Sequence, residues 1–263
     1  MKPKLINSED RTRAGKTLLY ELLSLGLLLL ALPAAAQFAS PRDLAFWGKK
    51  PTACQEAHMN YVVNQTFEGT GYDNCEVWTS SGSESAAIDP DYTGVVLQGA
   101  QSLRLTNTAS AQHTCINFSN ALAEIWIYVR VRPILIDTGS DQVLFTVRNN
   151  ADNVKANALV MTDGKININA TTSANSVDSI ANATTYHFWM HRKKATAADG
   201  EWDVGFSTDG IRPTSGNKFV QLTGQSNTED AYQFCIGYNS STATQEYIFD
   251  RVLVATSLIG DNP

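Results

Sequence analysis

Two stretches of alternating residues carry side chains that could do chemistry. Residues 124–132 read Glu-Ile-Trp-Ile-Tyr-Val-Arg-Val-Arg, with an aliphatic residue at every second position. Side chains alternate between the two faces of a strand, so Trp126, Tyr128 and Arg130 are predicted to share the non-aliphatic face. An indole, a phenol and a guanidinium together offer stacking and hydrogen-bond donors to a flat, polar ligand. The alternative is that these long side chains only cover the sheet.

A second stretch, Tyr-His-Phe-Trp-Met-His at 186–191, places His187, Trp189 and His191 on one face of a strand. Two histidines four residues apart on a strand are about 13 Å apart, too far to hold one metal ion. They could line a groove, in which imidazole donates hydrogen bonds and the indole stacks on a ring. Either face of this strand could be the buried one, so Trp189 could equally be a core residue.

Short strands must position these side chains. Beyond residue 40 no run shows sustained helical periodicity, and turn signals such as Asp163-Gly164, Asp199-Gly200 and Asp209-Gly210 punctuate the chain. After a first strand that begins near Asn64, strands are predicted near 95–105, 113–118, 123–132, 141–149, 157–162, 165–169, 184–193, 201–208, 217–222, 231–238 and 245–256. Many short strands with turns between them predict an all-β fold, a two-sheet antiparallel β-sandwich of the jelly-roll kind.

The N-terminal segment indicates the compartment. Five basic residues come first, a leucine-rich run covers residues 22–32, and Ala34-Ala35-Ala36 follows. This order is typical of a secretory signal peptide, while an uncleaved anchor is the alternative. We predict a signal peptide over 1–36, a connector over 37–63 and one sandwich domain over 64–263. The protein is expected to be secreted or at the cell surface (extracellular or periplasmic), with no membrane association after cleavage.

The net charge of the chain indicates which classes of partner to expect. The net charge is −6 for the full chain, and 15 basic against 23 acidic residues remain without the first 36 residues. A protein that binds nucleic acid would show a basic surplus or stripe, so nucleic acid is not an expected partner.

Four cysteines in an exported chain predict two disulfides, with buried free thiols as the alternative. The four are Cys54, Cys75, Cys115 and Cys235, and Cys75 with Cys115 is the first expectation among the possible pairings.

Five motifs carry a resemblance to a known family. In chain order they are Phe67-Glu-Gly69, Trp78, Gln98-Gly-Ala-Gln-Ser-Leu103, Thr185-Tyr-His-Phe-Trp-Met-His191 and Phe249-Asp-Arg-Val-Leu-Val254. Their order resembles concanavalin A-like lectin/glucanase domains of the laminin G-like kind, over residues 64–258. The opening and closing segments are also similar to carbohydrate-binding modules with galactose-binding-like jelly rolls. The resemblance implies a two-sheet sandwich whose first and last strands lie side by side, and glycan binding or adhesion.

Some members of this fold are glycoside hydrolases, which use two carboxyl groups. The family 16 enzymes place theirs on one strand as Glu-x-Asp-x-x-Glu, and Glu201-x-Asp203 matches the first two positions. Phe206 stands where the acid should be, and loss of a general acid costs roughly 100- to 10,000-fold in rate. The stretch is therefore predicted to be a strand that buries Trp202, Val204 and Phe206. The chain is predicted not to be an enzyme.

The resemblance also implies a structural calcium ion where the first strand meets the last. Calcium prefers carboxylate and backbone oxygens in flexible geometry. Glu68, Gly69 and Asp73 follow the first strand, and Asp250 lies in the closing one. The alternative is that Asp250 pairs with an arginine.

The predicted function is a non-catalytic glycan-binding or adhesion module of an exported protein, with a glycan or glycoprotein surface as partner. A structural or assembly protein of a cell surface or virion, with no sugar ligand, is the competing class. A glycoside hydrolase is a third, disfavoured by Phe206. The predicted ligand-binding residues are Trp126, Tyr128, Arg130, His187, Trp189 and His191. The sequence predicts neither the sugar nor the oligomeric state.

Overall fold

A computed structural model describes residues 61–68, 78–81, 88–107, 113–238 and 244–263. These residues form fifteen strands and, within the same ranges, no helix. The strands are β1 (Val63–Gln65), β2 (Trp78–Ser81), β3 (Ile88–Tyr92), β4 (Ser102–Asn107), β5 (His113–Leu122), β6 (Glu124–Leu135), β7 (Gln142–Arg148), β8 (Val154–Val160), β9 (Lys165–Asn169), β10 (Ser173–Ser179), β11 (Tyr186–Lys193), β12 (Gly200–Ser207), β13 (Phe219–Gln225), β14 (Ala231–Tyr238) and β15 (Gln245–Ala255). Among the described residues no helix is long and apolar enough to cross a membrane.

The strands form two antiparallel sheets. The larger sheet has the order β13-β12-β11-β6-β15-β4-β3, with β1 also paired to β15, and the second sheet has the order β10-β9-β8-β7-β14-β5-β2. The prediction of an all-β, two-sheet antiparallel sandwich is confirmed. The first and last strands lie side by side, as the resemblance implied, with Val63 opposite Val254.

Strand β6 lies in the middle of the larger sheet. The aliphatic side chains at every second position of residues 125–131 are at most 1% exposed and belong to the core between the sheets; they are Ile125, Ile127, Val129 and Val131. The second sheet contributes aromatic rings to the same core. Phe145 of β7 packs 5.5 Å from Phe188 of β11 and 6.2 Å from Phe249 of β15, measured between ring centroids. Burying each such side chain contributes about 1.5–3 kcal/mol.

The burial predicted for Glu201–Phe206 is confirmed. Trp202, Val204 and Phe206 are buried in the core, and the indole N–H of Trp202 donates to the carbonyl oxygen of Asn157 in the second sheet. Since side chains alternate, Glu201 and Asp203 project from the opposite face of β12. Phe206 therefore points away from the two carboxylates, and its identity is explained by core packing.

Three strands were not predicted, β2, β3 and β10, and all three lie at sheet edges. Strand β10 reads Ser-Ala-Asn-Ser-Val-Asp-Ser and has only one buried residue, so it shows no alternation of apolar and polar residues. Strand β3 contains Pro90, which edge strands tolerate because no ladder hydrogen bond is lost. The expected strand over 95–105 begins only at Ser102.

Among the described residues, one disulfide joins β5 and β14, which are neighbouring strands of the second sheet. Cys115 of β5 lies directly opposite Cys235 of β14, with their Cα atoms 4.0 Å apart, and the two are bonded. The expected pairing of Cys75 with Cys115 is therefore wrong, because strand register already gives Cys115 a different neighbour. Cys54 and Cys75 lie outside the described residues.

The disulfide should contribute measurably to stability. Cross-links of this kind typically add about 2–5 kcal/mol to the free energy of unfolding, because they restrict the unfolded chain. Replacing both residues (Cys115→Ala with Cys235→Ala) should lower the denaturant midpoint by a corresponding amount. Reductant should destabilise the parent protein and leave the double variant much less affected. Equal stability of parent and double variant, in oxidising buffer, would contradict this expectation.

Candidate functional site

The six predicted ligand-binding residues meet on one surface, the outer face of the larger sheet, which points away from the core. Antiparallel register pairs them across β6 and β11 in three rows: His191 with Trp126, Trp189 with Tyr128, and His187 with Arg130. The structure thus brings all six together. The three rows differ sharply in exposure.

The middle row is covered. Tyr128 is 0% and Trp189 2% exposed, and both belong to one buried apolar cluster with Leu253, Ala255 and Ile259. The indole N–H of Trp189 donates to the carbonyl oxygen of Gly260 at 3.0 Å. Neither ring is exposed as a ligand platform requires, because the C-terminal residues cover them, and Trp189 is a core residue, as the alternative for its strand had it. Two polar regions remain, one on each side of the covered row.

The C-terminal segment, residues 256–263, is held by the turn after β12. The backbone N–H of Asn262 donates to the carbonyl oxygen of Gly210, and the N–H of Arg212 donates to Asp261. Gly210 has a φ of 79°, and a Cβ there would lie 1.9 Å from Oδ1 of Asn262. Only glycine therefore allows this close approach.

The first polar region centres on His187. The hydroxyl of Tyr128 lies 2.7 Å from Nδ1 of His187. Arg130 lies beside His187 in the neighbouring strand, and its Nη1 donates to Oε1 of Gln98 at 2.9 Å and to the carbonyl oxygen of Leu97 at 3.4 Å. His187 and Arg130 are both half-buried, so each keeps part of its surface in solvent. We call His187, Tyr128 and Arg130 the His187 region.

The environment keeps His187 neutral. Burial lowers the pKa of the imidazole, the nearby Arg130 guanidinium lowers it further, and Asp209 opposes both effects. Burial also raises the pKa of the Tyr128 hydroxyl, against the opposing influence of Arg130 and Arg251. At neutral pH the region thus contains an uncharged imidazole, an intact phenol and a fixed cation. An uncharged imidazole is able to accept a proton.

Arginines continue beyond this region on the same face. Arg132 of β6 and Arg104 of β4 both lie opposite Ile248 of β15, and Arg104 forms an ion pair with Glu246 at 2.9 Å. Arg251 follows in the bulge of β15 and acts on Tyr128 electrostatically. This half of the outer face therefore carries four arginines with carboxylates among them: Asp89 lies opposite Arg104, Asp250 lies opposite Arg130, and Asp209 acts on His187.

The described part of the expected calcium site is filled by hydrogen-bond donors. The carboxylate of Asp250 accepts from the N–H groups of Gln98 and Arg251 and from the hydroxyl of Ser102. Burial raises the pKa of Asp250 to about 6, although these hydrogen bonds lower it. Glu68 accepts from the N–H of Ala100. Gly69 and Asp73 lie outside the described residues, so the calcium prediction is not tested.

The second polar region is a groove around His191. The imidazole Nε2 lies 2.8 Å from Glu124, and Nδ1 lies 3.0 Å from Asp203 and 4.0 Å from Glu201. The ring of Trp126 stacks on the imidazole at 3.9 Å, and the guanidinium carbon of Arg212 lies 4.8 Å from the same indole. We call this the His191 groove; it is lined by Glu124, Trp126, His191, Lys193, Glu201, Asp203, Arg212, Thr214, Phe219 and Gln221.

The two histidines of β11 experience opposite environments. Burial lowers the pKa of His191, but the hydrogen bonds and negative charges of Asp203 and Glu124 outweigh that effect, so its pKa is raised.

Sequence reasoning missed Glu124, Lys193 and Arg212 as site residues. Alternation could have found the first two, because Lys193 pairs in register with both Glu124 and Glu201. Arg212 comes from a turn, whose position no periodicity predicts.

Comparison with known proteins gives the fold. No family model matches the chain, and no curated protein matches it. Among solved structures, the endo-β-1,4-glucuronan lyase from the fungus Trichoderma reesei aligns with a TM-score of 0.56 and 12% identity, over 75% of this chain and 96% of that one. The PL-14 alginate lyase from Aplysia kurodai aligns with a TM-score of 0.56 and 8% identity, over 75% and 99%. The cellulose induced protein Cip1 aligns with a TM-score of 0.52 and 12% identity, over 75% and 99%.

These neighbours contradict the prediction that the chain is not an enzyme. Two polysaccharide lyases share its sandwich over three quarters of the chain and nearly all of their own length. The non-enzymatic prediction rested on Phe206, which lies in the core and does not face the surface where chemistry would occur. At this level of identity the likeness establishes the jelly-roll sandwich fold.

Gly210 should be required for docking of the C-terminal segment. Gly210→Ala combines an unfavourable positive φ with a clash against Asn262, whereas Gly216→Ala has the same backbone penalty (φ 84°) with nothing within 4 Å of its Cβ. The shared conformational cost is about 1–2 kcal/mol. Gly210→Ala alone should accelerate amide hydrogen exchange over residues 256–263. Similar exchange in both variants would show that the contact with Asn262 does not hold the segment.

Proposed function

We propose that the protein is a carbohydrate-active enzyme, a polysaccharide lyase that cleaves uronic-acid-containing polysaccharides at the His187 region. The observation that carries the proposal is His187, a half-buried imidazole of lowered pKa that contacts the Tyr128 hydroxyl beside the Arg130 guanidinium. The fold supports it, because a glucuronan lyase and an alginate lyase share the sandwich.

The proposed reaction is a β-elimination within a uronic acid unit. A base removes the proton on C5, the carbon next to the carboxylate, and the electrons of that C–H bond form the C4–C5 double bond. The bond from C4 to the glycosidic oxygen breaks, and that oxygen takes up a proton. No water is consumed, and no oxidant or reductant is needed. The reaction requires an uncharged base and a cation that stabilises the negative charge developing on the carboxylate.

The His187 region contains groups for these requirements. When Nδ1–H of His187 donates to the Tyr128 oxygen, the lone pair on Nε2 is free to take the C5 proton, and the imidazolium can then protonate the leaving oxygen. The guanidinium of Arg130 binds carboxylates in a fixed, forked geometry. Because Tyr128 is fully buried, it acts as a positioning residue that orients the imidazole.

The Arg130 guanidinium favours an acidic glycan over a neutral one. Arg130 lies beside His187 and keeps part of its surface in solvent, so it can pair with a carboxylate of the polymer. The Cys115–Cys235 disulfide is typical of proteins in oxidising compartments, which supports export to where polysaccharides occur. We propose an extracellular or periplasmic location.

Replacing the proposed base should abolish lyase activity. His187→Gln keeps a polar side chain but loses the basic nitrogen, so the rate should fall by about 100- to 10,000-fold. The assay measures the ultraviolet absorbance of the unsaturated product formed from glucuronan, alginate and related uronans. Arg130→Gln should also reduce the rate. The matched control, Lys165→Gln, removes a positive charge from the second sheet and should leave activity unchanged.

The pH dependence gives a second readout. The uncharged imidazole is the active form, so activity should persist below pH 6.5 and decline only as the pH falls through the lowered pKa of His187. Arg130→Gln removes a charge that lowers this pKa, so its acid limb should move to higher pH. Unsaturated product from His187→Gln at the parental rate would contradict the proposal. So would new reducing ends without ultraviolet absorbance, which indicate hydrolysis.

A further inference from the structure

We propose that His191, Glu201 and Asp203 form a binding site for one divalent transition-metal ion in the His191 groove. Each residue offers one ligand atom, and the three atoms lie within 4.8 Å of one another. One imidazole nitrogen and two carboxylate oxygens are the ligand types that zinc and its first-row neighbours accept. The site goes beyond the proposed lyase chemistry and does not depend on it.

The distances suit a small ion. Nδ1 of His191 lies 3.0 Å from Oδ2 of Asp203 and 4.0 Å from Oε2 of Glu201. Metal–ligand bonds of about 2.0–2.2 Å in tetrahedral geometry place neighbouring ligand atoms about 3.3–3.6 Å apart. His191 and Asp203 are fixed, since both side chains are 5% exposed, whereas Glu201 at 35% has room to close on an ion.

The neighbours of His191 hold its ring in the way that the partners of a metal-bound histidine do. Nε2 lies 2.8 Å from Glu124, so a proton on Nε2 leaves the lone pair on Nδ1, which faces Asp203 and Glu201. Metal-bound histidines commonly donate their other N–H to a carboxylate, which fixes the tautomer and the ring orientation. Stacking of Trp126 at 3.9 Å holds the same ring in place.

An independent observation is the second carboxylate oxygen of Asp203, which does not face His191. This Oδ1 is buried without a hydrogen-bond partner and lies 3.7 Å from Nη2 of Arg212, its ion-pair partner. A buried carboxylate oxygen without a hydrogen bond is costly, and an ion that contacts both oxygens of Asp203 would satisfy it. The groove also holds three carboxylates against Lys193 and Arg212, and this negative excess favours a divalent cation. The open side of the groove leaves coordination positions for water or a sugar hydroxyl.

The test is a zinc titration of the metal-stripped full chain without a polyhistidine tag. Isothermal titration calorimetry should give one site, and Co²⁺ as a substitute should give visible absorption bands of a protein-bound ion. Glu201→Gln should weaken zinc binding at least tenfold, because it removes a ligand at a partly exposed position. His191→Gln should abolish the site. Glu124→Gln removes only the partner of Nε2, and it should weaken binding about 10- to 100-fold.

The matched control is Glu246→Gln, which removes a carboxylate from the same sheet in the arginine-rich half. It should bind zinc as the parent does, and thermal melting should confirm that every variant is folded. Absence of zinc binding to the parent would overturn the inference, as would binding that survives both His191→Gln and Glu201→Gln. If uronans are not cleaved yet zinc binds with this pattern, the lyase proposal fails and the metal site stands. If uronans are cleaved but zinc does not bind, the metal-site inference fails and the lyase proposal stands.

Discussion

The alternation of apolar and polar residues on β11, β6 and β15 is the constraint on which the rest of this structure depends. Each strand presents one face to the aromatic core supplied by the second sheet, including Phe145 and Phe234. A slip of one residue in any of them would move its apolar set to the surface and its polar set into the core. Burial therefore fixes which side chains reach the outer face, before any functional requirement applies.

The C-terminal segment then divides that face. Ile259 and the carbonyl of Gly260 cover Tyr128 and Trp189, which turns a predicted aromatic platform into a small second core. On one side, burial and the Arg130 guanidinium lower the pKa of His187; on the other, carboxylates raise the pKa of His191. Two histidines four residues apart on one strand are thus suited to different chemistry.

Prediction from sequence succeeded for the strands in which apolar and polar residues alternate clearly. It predicted β11 and β12 within two residues and β6 within three, the inward direction of Trp202 and Phe206, and the common face of His187 and His191. It missed the cover over Tyr128, because Leu258-Ile259-Gly260 belongs to no periodic element. The partner of Cys115 depends on how β5 and β14 align, which a single sequence does not reveal. The non-enzymatic prediction failed because it judged catalysis from Phe206, a core position.

Nuclear magnetic resonance of the imidazole groups tests most directly whether the His187 region binds an acidic glycan. Histidine side-chain resonances would be followed while uronic acid oligosaccharides, and neutral oligosaccharides as a comparison, are added to the protein. His113 lies in the second sheet and serves as an internal reference. The account predicts that the acidic oligosaccharides shift the resonances of His187 and leave those of His113 unchanged, and that neutral ones shift neither. Saturable binding of the acidic oligosaccharides without any change at His187 would contradict it.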